Sequence, residues 1–391
     1  MGILPQELLD MIIDRLEDPE SSTRISHYSA VSRQWVERTQ KHHFKRIEFN
    51  YPGDLEQWRT NIEPNPSGVS RYTHELAWCR IDKLEGFDEH IRAFTNVETI
   101  VLNDCRILLL PTLAESFAPM GSSLVRLEID ETSTTPYVIT SLLAALPRLR
   151  QLRAHRLEIK DDPDTTVLPS SIPFFEDAND LDLFFVAVPV SLHWVPPSAR
   201  FRELRIDPLC ILDEPERMKQ WIISSSECLE FLAIGGHPMP GECLSLRGSE
   251  FFLLSPLIVF LAGFSASIDL TGCTALETIQ LDVPLSVPEG ITDYILPSLS
   301  SPWLSKIILQ LECSRIDYVS PQDLEIMEGH LCRLAKQYQA AHPGSKMKVE
   351  ISAIRWYDRP EATAADWIES SDFMPKLRKE ANVVTGKWRF R

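Results

Sequence analysis

The stretch Val97–Ile107, VETIVLNDCRI, carries the pattern on which the fold prediction depends. Val97, Ile100 and Leu102 give the spacing apolar-x-x-apolar-x-apolar, and Cys105 and Ile107 continue it. Alternate side chains of a strand point to opposite faces of a sheet, so Ile100 and Leu102 share one face. The stretch therefore predicts a short strand with one buried side.

The same spacing recurs along most of the chain. The second apolar residue of each copy is, in order, Leu76, Ile100, Leu127, Leu152, Leu181, Leu204, Leu232, Ile279 and Ile307. Successive copies lie 23–29 residues apart, except for one step of 47 residues. Because 47 residues is about two periods, we expect one further, less regular copy near residues 251–257.

This periodicity resembles the leucine-rich repeat, which has a period of about 20–29 residues and the consensus L-x-x-L-x-L-x-x-N/C-x-L. Repeats of that kind bury their apolar sides only against their neighbours, so they stack. The pattern predicts a leucine-rich-repeat-like solenoid, or horseshoe, of about nine to eleven units over residues 73–354. The alternative is a set of unrelated strands in an ordinary α/β protein, because apolar-x-apolar is a common pattern.

The flanks of the repeat region differ from it. Residues 51–72 are predicted to be a linker or first capping unit, and residues 355–391 a C-terminal cap with a basic tail. Just before the tail, Pro321 is typical of a first helical turn, and Pro343 ends the same helix. Apolar residues then alternate over Val349–Ala353, which predicts a strand.

The first fifty residues have a helical pattern. Apolar residues recur three to five positions apart up to Leu16, and Pro5 suits a first helical turn. Two further short helices are predicted before a strand that contains Ile47 and Phe49. So small a module buries little apolar surface alone, and we expect it to pack against the following residues or a partner.

Two motifs in this segment resemble the F-box. They are Leu4-Pro5-x-Glu7-Leu8-Leu9-x-x-Ile12-Ile13-x-x-Leu16 and Val31-Ser32-Arg33-x-Trp35, the latter followed by Phe44 and Ile47-x-Phe49. With degenerate leucine-rich repeats behind it, the chain is similar to the fungal F-box proteins. Those proteins are substrate receptors of SCF-type cullin–RING ubiquitin ligases, in which the F-box binds the Skp adaptor. The resemblance implies an α+β or α/β repeat fold, with a three-helix F-box at residues 1–50 followed by the solenoid.

The resemblance also implies an adaptor-binding set. Its members are Leu4, Pro5, Leu8, Leu9, Ile12, Ile13, Leu16, Val31 and Trp35. An excess of apolar surface on a small module marks a partner site, but the same residues also build the module's own core. Both roles stay open for each residue, although we favour the interface for Pro5.

A solenoid of this kind would bind a protein substrate through the polar strand positions of its concave face. We assign that role to Arg126, Glu128, Asp130, Arg153, His155, Asp182, Glu203, Arg205, Asp207 and Asp282, and place Asp180, Gln280, Lys306 and Gln310 on the same face. Acidic residues outnumber basic ones in this set, which suggests a basic substrate segment. A merely solvated face is the alternative.

Composition and missing motifs argue against other functions. The chain has 391 residues and a net charge of −17, which disfavours binding to nucleic acid or anionic membranes. The sequence contains no Cys-x-x-Cys, and His74-Glu75 lacks the second histidine of a zinc protease helix. We therefore predict a non-enzymatic receptor with no catalytic residue, metal or cofactor. The alternatives are an adaptor-binding scaffold without a degradative role and an α/β enzyme.

Targeting signals are also missing from the sequence. The N-terminus has no basic segment followed by an apolar run, so no signal peptide is predicted. The longest apolar stretch, Phe251–Phe264, is too short to span a bilayer. The eight cysteines are scattered, as expected of reduced thiols. We expect a cytoplasmic or nuclear location, or both.

Overall fold

The computed structural model describes part of the chain. The described residues are 11, 39–61, 69–80, 94–105, 112–160, 172–177, 179–184, 194–206, 215–234, 268–284, 291–312, 321–354 and 373–387. The chain divides into two compact units, Met1–Phe174 and Phe175–Arg391. This division does not test the domain boundaries predicted at residues 50, 72 and 354.

The first unit contains short helices and strands that alternate. They are β1 Arg46–Phe49, α1 Pro52–Asn61, a 3₁₀ turn Val69–Tyr72, β2 Glu75–Cys79, β3 Thr99–Asn103, α2 Leu113–Phe117, a 3₁₀ turn Ala118–Met120, β4 Arg126–Asp130, β5 Ser133–Thr134, α3 Pro136–Ala145, β6 Gln151–His155 and β7 Glu158–Ile159. Helix α3 shows how the sequence sets a boundary: Pro136 occupies the first turn, and the side chain of Thr135 accepts the Val138 N–H at 3.4 Å.

The second unit has longer elements. After the short helix α4 (Pro173–Glu176) at the division, they are β8 Asn179–Phe184, β9 Phe201–Ile206, α5 Pro215–Ser225, β10 Phe231–Ile234, β11 Thr278–Pro284, a π-helical turn Ile291–Ile295, α6 Leu296–Ser298, β12 Lys306–Glu312, α7 Pro321–Ala341, β13 Lys348–Ile354, α8 Leu377–Glu380 and β14 Asn382–Lys387. The helix predicted to begin at Pro321 and the strand predicted at Val349–Ala353 are confirmed as α7 and β13.

Twelve strands form one parallel sheet in sequence order, β1-β2-β3-β4-β6-β8-β9-β10-β11-β12-β13-β14, and β5 pairs separately with β7. The second apolar residue of each of the nine copies lies on a strand of the large sheet. The second apolar residue of every copy is at most 1% exposed. In-register pairing aligns these residues across neighbouring strands, as with Leu76, Ile100, Leu127 and Leu152. Burying each such side chain contributes roughly 1.5–3 kcal/mol.

The predicted fold class is nevertheless wrong. An N-terminal three-helix F-box followed by a leucine-rich-repeat-like solenoid was expected, whereas the described residues form mostly one twelve-stranded parallel sheet with few helices, an α/β arrangement. The connections are unequal, since the 21-residue α7 and the four-residue α4 both lie between strands. The apolar spacing reports only that a strand has one buried side, which holds equally for an α/β sheet. The F-box helices lie outside the described residues, except that residue 11 and residues 39–43 are helical.

Four strands of the first unit end in the same strained way. The residues that follow them, Arg80, Asp104, Glu131 and Arg156, have φ between 49° and 60°. This left-handed backbone costs a non-glycine residue roughly 1–2 kcal/mol. The cost is offset by hydrogen bonds of 2.9–3.1 Å from the N–H of the first three residues to the last carbonyl of the next strand. The chain therefore leaves the sheet at equivalent points of successive strands.

A buried carboxylate holds the C-terminal part of the second unit. Glu328 on α7 is buried and accepts the backbone N–H of Lys376 at 2.6 Å and of Leu377 at 3.0 Å. Both groups lie at the start of α8, where N–H groups have no partner within the helix. Glu328 thus fixes α8 against α7 and positions the last strand, β14.

Two glycines provide a test of this packing, because the same substitution has opposite expected effects. A Cβ on Gly121 would lie 2.6 Å from the carbonyl oxygen of Ala145, so Gly121→Ala should lower the free energy of unfolding by about 1–3 kcal/mol. Gly329 lies exposed inside α7, and a Cβ added there would meet no neighbouring atom within 4 Å, so Gly329→Ala should raise that free energy by about 0.5–1 kcal/mol.

Urea denaturation of the full chain and both variants measures these differences. Equal stabilities of the two variants would contradict the described contact between Gly121 and the end of α3.

Candidate protein-binding surface

The strands present polar side chains opposite the buried apolar ones. In the first unit this polar face contains Glu75, Thr99, Asn103, Arg126, Glu128, Asp130, Gln151, Arg153 and His155, all half-buried. In the second unit the polar face contains Asp180, Asp182, Glu203, Arg205, Gln280, Lys306, Gln310, Lys348, Glu350 and Ser352. Parallel sheets of α/β proteins are usually covered on both faces by apolar contacts, so a polar, partly exposed face is unusual.

Eight of the ten predicted substrate-binding residues occupy these faces, and the backbone of Asp282 belongs to a strand of the sheet. Arg126, Glu128 and Asp130 lie on β4, Arg153 and His155 on β6, Asp182 on β8, Glu203 and Arg205 on β9, and Asp282 on β11. Asp207 lies outside the described residues, and so do all nine predicted adaptor-binding residues. The contacts of these ten residues therefore stay predictions.

The first unit's face is a chain of ion pairs across neighbouring strands. Glu128 pairs with Arg126 on its own strand and with Arg153 on β6, the latter at 3.5 Å. Beside this group, Asp130 accepts two hydrogen bonds from Arg156, at 2.9 and 3.1 Å. Partial burial disfavours the charged guanidinium, but the hydrogen bond to Asp130 and the nearby carboxylates outweigh it, so the pKa of Arg156 is raised.

The second unit pairs its charges in the same way. Arg205 contacts Glu203 at 3.3 Å and stacks over the Phe231 ring, 4.5 Å from its centroid. Glu350 on β13 forms ion pairs with Lys306 on β12, at 3.1 Å, and with Lys348 on its own strand, at 2.6 Å. Burial alone would raise the pKa of the Glu350 carboxyl. The hydrogen bonds and charges of the two lysines have the larger, opposite effect, so the pKa of Glu350 lies below its ordinary value.

These pairs change the interpretation of the charge excess. The hypothesis of a basic substrate segment rested on counting acids, and several of those carboxylates already contact a cation of the same face. Internal pairing leaves a mixed surface in which hydrogen-bonding groups and half-exposed side chains, rather than net charge, are available to a partner. Binding of a basic substrate segment stays a prediction. The excess of acidic residues supports it less once the ion pairs within the face are taken into account.

Several members of these clusters were missed from sequence alone. Arg156 follows β6 in the left-handed conformation, outside the alternation used to find polar positions. Arg202, which binds Asp180 through two bonds of 3.0 and 3.1 Å, lies at a shift in register between β8 and β9. Glu350 and Ser352 could have been found, because they alternate with the apolar residues that identified the β13 strand.

Metal-ligating and nucleophilic side chains are a further feature of the described residues. Within them, no three His, Cys, Asp or Glu side chains are arranged to hold a metal ion. Burial raises the pKa of the Cys273 thiol to about 11, so this side chain stays a thiol rather than a reactive thiolate at neutral pH. Over the same part of the chain, no helix combines the length and apolar character needed to cross a bilayer.

The Glu350 cluster gives a pH-dependent prediction. A carboxyl whose pKa is lower in the folded than in the unfolded chain contributes stability above the unfolded pKa, and this contribution is lost as the pH falls through the folded pKa. Glu350→Gln should therefore lower the free energy of unfolding by about 0.5–1 kcal/mol at pH 7, and by less as the pH falls below about 4.

Urea denaturation at several pH values measures this difference, with Glu277→Gln, an exposed glutamate of the same unit, as the matched control. A destabilisation by Glu350→Gln that is unchanged at acid pH would contradict the assigned ion pairs.

Comparison with known proteins assigns neither a family nor a function to the chain. The sequence matches no protein-family model, and its comparison with curated proteins gives no significant match.

Proposed function

We propose that the protein is a non-enzymatic substrate-recognition subunit of an SCF-type cullin–RING ubiquitin ligase. Residues 1–50 would bind the Skp adaptor, and through it the cullin–RING ligase. The polar faces of the sheet would bind a protein substrate. The observation that carries the second part is the half-exposed polar face, which lies directly opposite a fully buried apolar row.

The polar face suits protein recognition for a physical reason. Its side chains belong to regular strands, so their positions are fixed by the backbone ladder rather than by flexible loops. Ion pairs such as Arg153 with Glu128 restrict the side chains further, which reduces the entropy lost when a partner binds. The mixture of cations, carboxylates and amides offers directional contacts, which give specificity.

Support for the first part comes from the sequence motifs. Leu4-Pro5 begins the first motif and Val31 and Trp35 belong to the second. The strand predicted after these motifs, with Ile47 and Phe49, is present as β1, and both side chains are buried. β1 pairs with β2, and β2 pairs with β3, so residues 46–49 at the end of this segment belong to the sheet.

A receptor of this kind needs no catalytic group. It holds a substrate near a charged ubiquitin and so raises the effective concentration of the two reactants. The proposal therefore asks for two separate binding surfaces rather than an active site. We place its action in the cytoplasm, the nucleus or both, where the ligase components and their substrates would meet.

The adaptor-binding part is tested by a double substitution. Leu4→Ala with Pro5→Ala should abolish co-purification of the Skp adaptor with the full chain, because it removes apolar contact surface at the start of the first motif. The strands lie in other parts of the sequence, so the circular dichroism spectrum should be unchanged. Gln6→Ala, between the motif residues, is the matched control and should retain the adaptor.

Undiminished adaptor binding by the double variant would contradict the proposal. A second experiment distinguishes a degradative receptor from an adaptor-binding scaffold. If the protein is a degradative receptor, the proteins that co-purify with it should have longer lifetimes in cells from which it is deleted. Unchanged lifetimes of every captured protein would count against a degradative receptor.

A further inference from the structure

One side of β14 has no neighbouring strand among the described residues. β14 is the last strand in the order of the large sheet, and it pairs with β13. The N–H of Asn382 donates to the carbonyl of Met347 at 2.9 Å, on the β13 side. Because successive peptide groups of a strand bond to opposite sides, the N–H and C=O groups of Val383 and Thr385 face away from β13. Over the described part of the chain, β14 therefore presents an edge of backbone donors and acceptors with which no strand pairs.

The side chains of β14 are less covered than those aligned with them on β13. Val349 and Ile351 are at most 1% exposed, whereas Val383 and Thr385, their partners in the register, are half-buried. On the opposite face, Val384 is 42% exposed. Side chains of a neighbouring strand pack beside those of the strand it pairs with, on both faces. The two adjacent valines of β14 thus leave apolar surface that a further strand would cover.

The strand at the other end of the order, β1, has protection of the usual kind for an edge. Phe49 is buried, and its ring centroid lies 6.0 Å from that of Trp58 on α1. On the polar face of β1, Arg46 pairs with Glu48 at 3.5 Å. Charged side chains and covering helices keep an edge strand from pairing with other chains. The adjacent valines of β14 carry no charge, and their exposure shows that they are incompletely covered.

The charge around β14 indicates the kind of partner. Residues 376–391 contain six lysines or arginines and one acidic residue, in a chain whose net charge is −17. That acidic residue, Glu380, pairs with Lys336 of α7 at 3.6 Å. Lys379 is exposed just before the strand, and its carbonyl accepts a hydrogen bond from the exposed Lys346 at 3.1 Å. Because salt screens exposed charges beyond about 8 Å, these nearby cations outweigh the distant acidic residues.

We propose that β14 binds an extended, acidic segment of a protein partner, which adds to the sheet as a further strand. The backbone groups of Val383 and Thr385 pair with the segment, and its apolar side chains cover Val383 and Val384. Aspartate or glutamate at an end of the segment contacts the cations near the start of β14, Lys379 and Lys346. A second copy of the chain fits less well, because pairing two β14 strands would bring their basic flanking residues together.

This inference goes beyond the proposed function, since it assigns a partner to a strand edge of the second unit and not to the polar face. It also differs from the hypothesis of a basic substrate segment, which concerns the acidic side chains of that face. The two surfaces use different groups, the backbone of β14 in one case and strand side chains in the other.

Selection from a random octapeptide display library on the full-length chain tests the edge. Each round is followed by depletion on Thr385→Pro, in which proline removes an outward N–H but leaves the hydrogen bonds to β13. The remaining peptides should contain β-branched residues flanked by aspartate or glutamate. They should bind Thr385→Pro at least tenfold more weakly than the unchanged chain. Thr385→Ser, which keeps the N–H, is the matched control and should retain full affinity.

A second pair of variants tests the charge. Lys379→Gln should weaken binding of a selected peptide about two- to fivefold, and added salt should remove the difference. Lys219→Gln is the matched control, because Lys219 is a partly exposed lysine of the same unit, on α5. It should leave the affinity unchanged.

N-methylation of a selected peptide gives a result that does not depend on the folding of a variant. Methylating one alternate set of amides should abolish binding and methylating the other set should preserve it, because the added strand pairs through one side. Should Thr385→Pro fold poorly, these two peptides decide the outcome.

Four results would overturn the proposal. They are failure to enrich any peptide that distinguishes Thr385→Pro, selected peptides without aspartate or glutamate, equal effects of the two methylated sets, and a dimer of the chain that Thr385→Pro abolishes in sedimentation equilibrium. The proposed function is tested separately, because Thr385→Pro should still co-purify with the Skp adaptor. Loss of peptide binding with the adaptor retained concerns the edge alone, and absence of the adaptor with peptide binding retained concerns the ligase proposal alone.

Discussion

The alternation of side chains along parallel strands is the constraint on which this structure depends. Each strand can bury only every second residue on one side, so the aligned apolar residues form continuous buried rows. Leu127 and Leu152 are such neighbours, and both are essentially inaccessible to solvent. The same alternation forces the intervening side chains, such as Glu128 and Arg153, onto the opposite face, where they pair with each other. Core and candidate surface are therefore two consequences of one backbone geometry.

Much of the local structure could be predicted from sequence because it depends on local patterns. The apolar spacing placed nine strands correctly, and Pro321 marked the beginning of α7. The polar positions follow from the same alternation, since Arg126 and Glu203 alternate with buried apolar residues of their strands. The overall architecture could not be predicted in this way, because the spacing is the same in a stacked repeat and in an α/β sheet. Only the connections distinguish them, and their lengths vary here.

The candidate site shows a similar limit. Pairing partners such as Arg156 and Arg202 lie at a left-handed residue and at a register shift, and neither feature has a signal in the strand pattern. The open side of β14 depends on the order of the strands in the sheet, which the spacing within one strand does not report. Composition indicated an acidic face, but the contacts show that most of its described carboxylates are already neutralised. What remains for recognition is a property of the packed sheet rather than of residue counts.

The central claim is that the polar face of the sheet contacts a protein partner. Carboxyl footprinting tests it most directly, by comparing the purified chain with the chain isolated together with its captured proteins after proteasome inhibition. The account predicts reduced labelling of Glu128, Asp130 and Glu203 on the polar faces, with unchanged labelling of Glu216 on helix α5. Protection confined to Glu216 and other helix carboxylates, with the strand carboxylates labelled as before, would contradict it.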